Sequence, residues 1–259
     1  MSQFVTFSKL GHHGRLGNQL FQIAAVLAYA LEHRMCAELP KWVCNYSGLE
    51  YWRHFPILKA GKGYTMPLMG AAVYNEPCFD YNPIPKLDTS VDLHGYFQSG
   101  KHFLGHDDYV RSMLTPVVPY VKKLNEQHLA IHVRRGDYLK TPHGCLDIDY
   151  YRRAIEMMYS FGKIKHINVF SDDLAWCMEQ FKGSRFSFHS HDNPVVDLAK
   201  MAAHQRIIIA NSSFSWWGAF LSHPYKIIIS PDRWFGGGDL LDHDVFEKNW
   251  VKLPVDFEK

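Results

Sequence analysis

Apolar and polar residues alternate regularly over the second half of the chain. From residue 129 onward, short β-branched runs are separated by segments in which apolar residues recur at helical spacing. This pattern predicts five strands alternating with four helices: the strands LAIHV, HINVF, RFSFH, RIIIA and KIIIS, the helix DYYRRAIEMMYSF, and helices around 173–181, 195–204 and 214–222. Apolar strands that alternate with helices are typical of a parallel, doubly wound sheet.

The first half of the chain is less regular. Residues 4–10 alternate like a strand, a glycine-containing turn follows, and residues 16–33 carry apolar side chains at helical spacing. Between residues 36 and 120, prolines interrupt short segments, and only a strand at 91–97 and a helix near 101–114 are predicted.

Length and composition fit an α/β protein of two domains. The chain has 259 residues, of which 47% are hydrophobic, enough to bury a full core. We predict a smaller, partly irregular N-terminal α/β domain at 1–124 and a Rossmann-like domain at 125–259. Lys and Arg number 28 against 26 Asp and Glu, and the resulting net charge of +2 does not indicate nucleic-acid binding.

Cysteine usage and apolar runs bear on the compartment. The five cysteines are an odd number without a close C-x-x-C pair, which argues against a disulfide framework and against a zinc cage. The N-terminus has no apolar signal region, and the apolar stretch after it carries Asn18, Gln19 and Gln22, so neither a signal peptide nor a transmembrane span is predicted. We expect a protein of a reducing compartment.

The ends of the predicted strands carry the candidate chemistry, since ligands of doubly wound sheets bind beyond the carboxyl ends of the strands. The strand LAIHV runs into Arg134, Arg135, Gly136 and Asp137. Arginine has a planar, charged fork that binds phosphate oxygens. The alternative is a surface ion pair between Arg135 and Asp137.

Other strand ends add polar groups. Asn211, Ser212 and Ser213 lead directly into a helix whose N-terminus would attract an anion, or they simply cap it. After another strand, Asp172 and its neighbour Asp173 would accept hydrogen bonds from a ribose or a base, or one of them caps the next helix. Asp197, near the start of a helical stretch, would match the paired N–H donors of a guanine edge.

A glycine-bearing turn precedes the first helix. The segment Gly14-Arg15-Leu16-Gly17-Asn18-Gln19 would aim backbone N–H groups and Asn18 toward a ligand. It is neither a P-loop nor a G-x-G-x-x-G fingerprint.

Six segments together resemble the α-1,2-fucosyltransferases of glycosyltransferase family 11. They are HGRLGNQLFQIA, HGYFQS, IHVRRGDYL, VFSDD, DLAKMAAHQRIIIANSSFSWWGAFL and SPDRWF, in the order of the family, from about residue 11 to 235. G-R-x-G-N-Q and H-x-R-R-x-D are also similar, more distantly, to segments of the α-1,6- and protein O-fucosyltransferases. The resemblance implies a GT-B-like α/β fold and GDP-fucose as the donor.

The resemblance also implies roles for single residues. Arg134 would hold the β-phosphate, His132 and Asp197 would contact guanine, and Asn18 would reach the sugar-phosphate region. We expect Arg134, Asp137 and Asn18 in catalysis. The expected substrate-binding residues are His132, Arg135, Asp172, Asp197, Asn211, Ser212, Ser213, Arg15, Gly17 and Gln19.

The implied reaction is an inverting transfer of fucose to a galactose-terminated glycan, at O-2 of galactose, without a metal ion or another cofactor. The D-x-D strings at 147–149 and 242–244 would suggest a metal in other glycosyltransferases, but here they are interpreted as a helix cap and a terminal loop. Asp137 is interpreted as an orienter of the arginines, because two neighbouring positive charges would make its carboxylate a poor base. A role as general base is left open.

Alternatives remain for the ligand and the surroundings. The phosphate site would equally suit another donor such as GDP-mannose, or a nucleotide-sugar-binding protein without turnover. Trp216 and Trp217 are expected in the core, and Trp234 with Phe235 in a mobile lip. The position of the first motif near the N-terminus is similar to bacterial or viral members, which implies a cytoplasmic protein, with peripheral membrane contact left open.

Overall fold

The structure of the protein is a computed structural model that describes residues 3–55, 70–237 and 243–258. The chain divides into two units. The first is Met1–Val117 together with His243–Val245, and the second is Val118–Asp242 together with Phe246–Lys259.

The first unit holds a parallel sheet of four strands. They are β1 (Phe4–Thr6), β2 (Cys36–Glu38), β3 (Ala72–Asn75) and β4 (Val91–His94), in the order β2-β1-β4-β3. The helix α1 (Leu16–His33) has the predicted bounds and is buried along most of its length. It ends where Arg34 adopts a left-handed conformation, with φ of 56°.

Several predictions for the first unit need correction. The strand predicted at 4–10 is shorter, and the one at 91–97 ends at His94, before Phe97 takes a left-handed φ of 52°. The helix predicted near 101–114 is a 3-10 turn, Gly100–Phe103, followed by α2 (Asp107–Leu114), because Gly105 between them has a φ of 87°. Strands β2 and β3 were not predicted.

The second unit contains the predicted five strands and four helices, and one strand more. The strands are β5 (His128–Val133), β6 (His166–Ser171), β7 (Phe186–His189), β8 (Arg206–Ile208), β9 (Ile227–Pro231) and β10 (Val251–Leu253). The helices are α3 (Ile148–Ser160), α4 (Leu174–Gln180), α5 (Pro194–Ala202) and α6 (Ser213–Phe220). The unpredicted strand is β10.

The strand order of the second unit defines where a ligand binds. All neighbours are parallel, in the order β10-β9-β8-β5-β6-β7. From β5 the chain builds the sheet toward β7, and from β8 it builds the other side toward β10. This is the strand order of a Rossmann fold, and its switch point lies between β5 and β8.

Packing confirms the expected place of two tryptophans in the core. Trp216 and Trp217 are fully buried and contact each other at 5.2 Å between ring centroids. None of the helices in the described parts of the chain combines the length and the apolar run that crossing a bilayer needs.

Candidate active site

Arg134 follows β5 directly, at the switch point of the sheet. Its guanidinium pairs with Asp137 through one nitrogen and with Asp172 Oδ2 through Nη1, at 2.8 Å. One face of the guanidinium lies over the ring of Tyr138, 5.1 Å from the centroid. Only 15% of the side chain is exposed. Charged partners and an aromatic face thus hold the guanidinium in place at the edge of the sheet.

Asp172 fixes the backbone turn that carries Arg134. Its Oδ1 accepts a hydrogen bond from the backbone N of Arg135, at 3.0 Å. A Cβ on Gly136 would lie 2.4 Å from Asp172 Oδ2, so glycine is needed for this carboxylate to pack against the turn. A carboxylate at the end of β6 therefore fastens both the side chain and the backbone that follow β5.

Arg135 points into the protein, which was not expected for a substrate-binding residue. Its Nε lies 3.2 Å from Asp173 Oδ2, its Nη1 pairs with Glu258, and its guanidinium stacks on Trp176 at 4.2 Å. These partners occupy the fork that would otherwise bind phosphate. Asp137 forms its ion pair with Arg134, so the expected alternative of an Arg135–Asp137 pair is wrong.

The expected capping roles are settled by hydrogen bonds. Asp173 Oδ1 accepts from the backbone N of Trp176 and caps α4, as predicted for one of the two aspartates. Asp147 caps α3 by accepting from Tyr150 N at 2.8 Å. Asp242 lies outside the described residues, and Asp244 pairs with Lys101 in the first unit.

His132, the last-but-one residue of β5, is buried and neutral. Burial lowers its pKa to about 3, and the charge of Arg134 adds to this effect. Its ring packs against Phe214 at 5.2 Å, and its Nδ1 is buried without a hydrogen-bond partner in the described structure. The ring therefore links β5 to the first turn of α6, and an orphaned polar atom remains at this edge.

Asn211, which follows β8, connects two loops through its side-chain amide. The amide of Asn211 is fully buried and donates to the carbonyls of His143, Gly144 and Trp234, at 3.0 to 3.2 Å. Asn211 thus holds two loops together through its side-chain nitrogen, while its Oδ1 is buried without a hydrogen-bond partner in the described structure. The substrate contact predicted for Asn211 is untested.

The two serines begin α6. Ser212 is the N-cap residue, and its side chain makes no capping hydrogen bond, so the expectation of an ordinary serine cap is wrong. Ser213 is the first helical residue. Their positions suit an anion at the helix N-terminus, a role that stays a prediction.

Asp197 lies in the first turn of α5, and both of its carboxylate oxygens contact His191. One oxygen accepts from the backbone N of His191 at 2.9 Å, and the other pairs with the His191 ring. Lys200 Nζ lies 3.0 Å from the second ring nitrogen of His191. The guanine contact predicted for Asp197 is untested.

The predicted residues near the N-terminus lie around the start of α1 in the first unit, and they differ in burial. Gln19 donates to the carbonyl of Gly14 at 2.7 Å and accepts from Trp42 Nε1 at 2.6 Å. Asn18 Oδ1 accepts from Gln98, in the predicted motif HGYFQS, at 3.1 Å. Gly17 is buried in α1, and Arg15 is exposed at its N-cap. Gln19 supports the turn, which leaves Asn18 and Arg15 as the groups nearer the surface.

Two aromatic residues next to Arg134 were missed. Tyr138 stacks on His143 at 4.7 Å, and His143 lies 5.5 Å from Phe235. The sequence signal was the position of Tyr138, four residues after Arg134 across a short turn. Trp234 is buried against Phe246 at 5.7 Å, so its expected place in a mobile lip is wrong.

Within residues 3–55, 70–237 and 243–258, no three His, Cys, Asp or Glu side chains come together in a way that would hold a metal ion.

Fold and site together define a class of protein: α/β enzymes of the GT-B-like type, with a Rossmann strand order and an arginine at the switch point of the nucleotide-binding sheet. The fucosyltransferase NodZ from Bradyrhizobium is similar in structure. The similarity has a TM-score of 0.50 and covers 86% of this chain and 94% of that chain, at 11% identity. The predicted fold class is confirmed.

The chain belongs to glycosyltransferase family 11, whose family model matches residues 75–254. It is therefore a glycosyltransferase. An α-1,2-colitosyltransferase from Escherichia coli is 28% identical over 93% of this chain and 96% of that protein. Galactoside α-(1,2)-fucosyltransferase 2 from Oryctolagus cuniculus is 24% identical, over 93% of this chain and 73% of that protein.

Proposed function

We propose that this glycosyltransferase moves L-fucose from GDP-β-L-fucose to O-2 of a galactoside, with inversion and without a metal ion. The relatives are named for the transfer of colitose or fucose, two 6-deoxy sugars, and both names carry an α-1,2 linkage. The observation that carries the proposal is Arg134, held at the switch point of the second sheet with its fork at the carboxyl edge.

The chemistry needs a fixed cation. When the bond between fucose and GDP breaks, negative charge grows on the β-phosphate, and a positioned guanidinium stabilises that charge without reorganising. Arg134 is positioned by Asp172 and by the ring of Tyr138. The N-terminus of α6 would add backbone N–H groups on the same edge.

Donor binding requires one carboxylate to leave Arg134. Asp172 also accepts from the backbone of Arg135, so it is fixed. Asp137 has a side chain that is 48% exposed and pairs with Arg134 alone among its described ion pairs. We infer that the diphosphate displaces Asp137 while Asp172 stays in place.

The same displacement frees Asp137 for the acceptor. An inverting transfer is a single displacement in which the acceptor hydroxyl loses a proton to a base. Released from Arg134, Asp137 would be a candidate for that base; otherwise it only orients the arginine. If Asp137→Asn retains most of the turnover, the role as base is wrong.

The experiment combines GDP-fucose with a panel of β-galactosides in EDTA. GDP release gives the rate, and NMR of the product gives the linkage and the anomeric configuration. Transfer to the galactose 2-hydroxyl with an α linkage, unaffected by EDTA, supports the proposal. Transfer only from GDP-mannose, or only after addition of a divalent metal, contradicts the donor or the metal-free mechanism.

A further inference from the structure

Three aromatic rings form a continuous surface beside Arg134. The guanidinium lies over Tyr138, Tyr138 stacks on His143 at an interplanar angle of 23°, and Phe235 follows at 5.5 Å. We call Tyr138, His143 and Phe235 the aromatic wall. All three side chains are partly exposed. The wall therefore offers ring surface to a ligand whose charged part is bound at Arg134.

The loops that carry the wall are fastened to each other. The buried amide of Asn211 binds the carbonyls of His143 and Trp234, one on each loop. Gly236 N donates to the carbonyl of His143 at 2.9 Å. The loops approach so closely that a Cβ on Gly144 would lie 3.1 Å from the Cα of Gly236. The rings are thus positioned by buried contacts, as in a built subsite.

The Tyr138 hydroxyl and the His143 Nδ1 have partners within the protein. Burial raises the pKa of Tyr138 to about 12, although a hydrogen bond with the Ser212 side chain opposes this. Burial lowers the pKa of His143, and its Nδ1 lies 3.2 Å from Thr141 Oγ1. The phenol and the imidazole are therefore uncharged at neutral pH, and what the wall presents is mainly apolar.

A sugar joined to a phosphate at Arg134 would extend from the guanidinium to the groups that surround it. The nitrogens of the Arg134 guanidinium pair with the carboxylates of Asp137 and Asp172, and one face of the guanidinium lies over Tyr138, the first ring of the wall. The carboxylates suit sugar hydroxyls. The wall suits a methyl group, because a hydroxyl placed there would lose its hydrogen bonds to water.

We propose that the aromatic wall is the subsite for the C6 methyl group of the donor sugar and selects a 6-deoxy sugar over the same sugar with a 6-hydroxyl. The inference rests on the proposed function, since it places the diphosphate at Arg134. The contact of Arg134 with the phosphate cannot distinguish one sugar from another, whereas the aromatic wall can. Phe235 is assigned as the specificity-determining residue, because its ring carries no polar atom and contacts His143 rather than Arg134, so that it can act on the sugar without acting on the phosphate.

The matched donors are GDP-L-fucose and GDP-L-galactose, which differ only by the hydroxyl on C6. Affinities are measured by calorimetry, with GDP as the reference, and kcat/KM is measured for transfer. We expect the wild type to prefer GDP-L-fucose by about 100-fold, the range in which an apolar pocket rejects an added hydroxyl. Phe235→Ala should reduce this preference about tenfold and leave the Kd of GDP unchanged, since only sugar contacts are lost.

Two control variants separate the wall from general damage. Phe235→Leu keeps an apolar side chain and should retain most of the preference. Phe161→Ala removes a phenylalanine that is 42% exposed after the C-terminus of α3, away from the strand ends, and should change nothing.

Affinity and transfer decide between the inference and the proposed function. Equal affinities of the wild type for the two donors, or an unchanged preference in Phe235→Ala, overturn the inference. A preference in binding that Phe235→Ala removes supports it, even if no galactoside accepts fucose. That last result would contradict the proposed acceptor alone.

Discussion

The carboxyl edges of the two sheets use one arrangement with different residues. In the first unit, Glu76 follows β3 and accepts from the backbone N of Tyr96 and Phe97, at 2.6 and 3.0 Å. In the second unit, Asp172 follows β6 and accepts from the backbone after β5 at 3.0 Å. In each unit a glycine makes room, because a Cβ on Gly95 or Gly136 would lie 2.4 Å from the carboxylate side chain.

The difference lies in what else the carboxylate meets. The Glu76 side chain is largely buried, burial raises its pKa, and it lies 4.0 Å from the ring of His102, whose own pKa burial lowers to about 4. Asp172 is partly exposed and holds Arg134. We call each of these carboxylate-bound turns a corner. The corner of the first unit is structural, because Glu76 contacts backbone groups and a neutral histidine. The corner of the second unit is a candidate binding site, because Asp172 contacts the permanent cation of Arg134. Four predictions test this contrast.

The largest expected effect is that of Arg134→Ala on transfer. Loss of a preorganised group that stabilises developing charge costs about 10³-fold in kcat. We expect kcat/KM for the donor to fall by that order in a variant that still folds, although Asp137 and Asp172 lose their ion-pair partner. Steady-state kinetics measure kcat/KM, and urea titration checks that the variant folds.

Arg134→Lys is the matched control for that prediction. Lysine keeps the charge and loses the fork and the aromatic stacking, so it should recover only part of the activity. If Arg134→Ala stays within tenfold of the wild type, the second edge is a structural corner like the first.

Much of this contrast was predictable from sequence. The periodicities that give α1 and the alternation after residue 129 are local, and so is the position of Arg134 at a strand end. Short strands carry little periodicity, which is why β2, β3 and β10 were missed. Each has only three or four residues.

Long-range partners decided what the sequence left open. Arg134 and Arg135 are the same residue type side by side, yet only the second turns inward. The reason is Glu258, which lies 123 positions later in the chain and binds Arg135. Asn211 was likewise predicted to contact a ligand. Its actual partners, the carbonyls of His143 and Trp234, come from two loops that are distant in the sequence, so they could not be foreseen.

The second prediction concerns acid stability, in which the two units should differ. In the second unit, burial lowers the pKa of His204 to about 4, and its Nε2 lies 3.0 Å from the Asn168 amide. The unfolded chain binds a proton near pH 6.5 and the folded unit only near pH 4. This histidine therefore lowers stability by about 3 kcal/mol at most as pH drops through this window, and His132, whose pKa burial lowers to about 3, acts in the same direction.

In the first unit the acid effect is partly offset. His102 has a lowered pKa in the folded state, so it reduces the stability of the first unit as pH drops. Glu76 has a raised pKa in the folded state, so its protonation on acidification favours folding. Hydrogen exchange at pH 7, 6 and 5 should show α5 and β8 opening before α1. His204→Gln should flatten the slope in the second unit, and an unchanged slope would rule out this histidine as its cause.

The third prediction separates the two adjacent arginines. Arg135→Ala removes the partner of Asp173 and Glu258 and the stacking on Trp176. Both carboxylates are partly exposed, so we expect a loss of about 2 kcal/mol in the free energy of unfolding, below the range for fully buried pairs. The Kd of GDP, measured at low temperature where the variant is folded, should stay near that of the wild type. A large rise in Kd with unchanged stability would restore the phosphate contact first expected for Arg135.

The smallest effect is expected from one methyl group at each corner. In Gly136→Ala, the Asp172 carboxylate must move, so Arg134 loses the partner that fixes its fork, and we expect the KM for the donor to rise about tenfold because positioning is lost. In Gly95→Ala, the Glu76 side chain must move, which should cost about 1 kcal/mol of stability and leave donor binding unchanged.

Gly237→Ala is the control, since nothing lies within 4 Å of its added Cβ. Donor KM and unfolding free energy are measured for all three variants. If Gly95→Ala changed the donor KM and Gly136→Ala only the stability, the assignment of the cationic corner as the donor site would be reversed. If both changed only stability, the two edges would be equivalent structural corners, and Arg134 would need no positioning by Asp172.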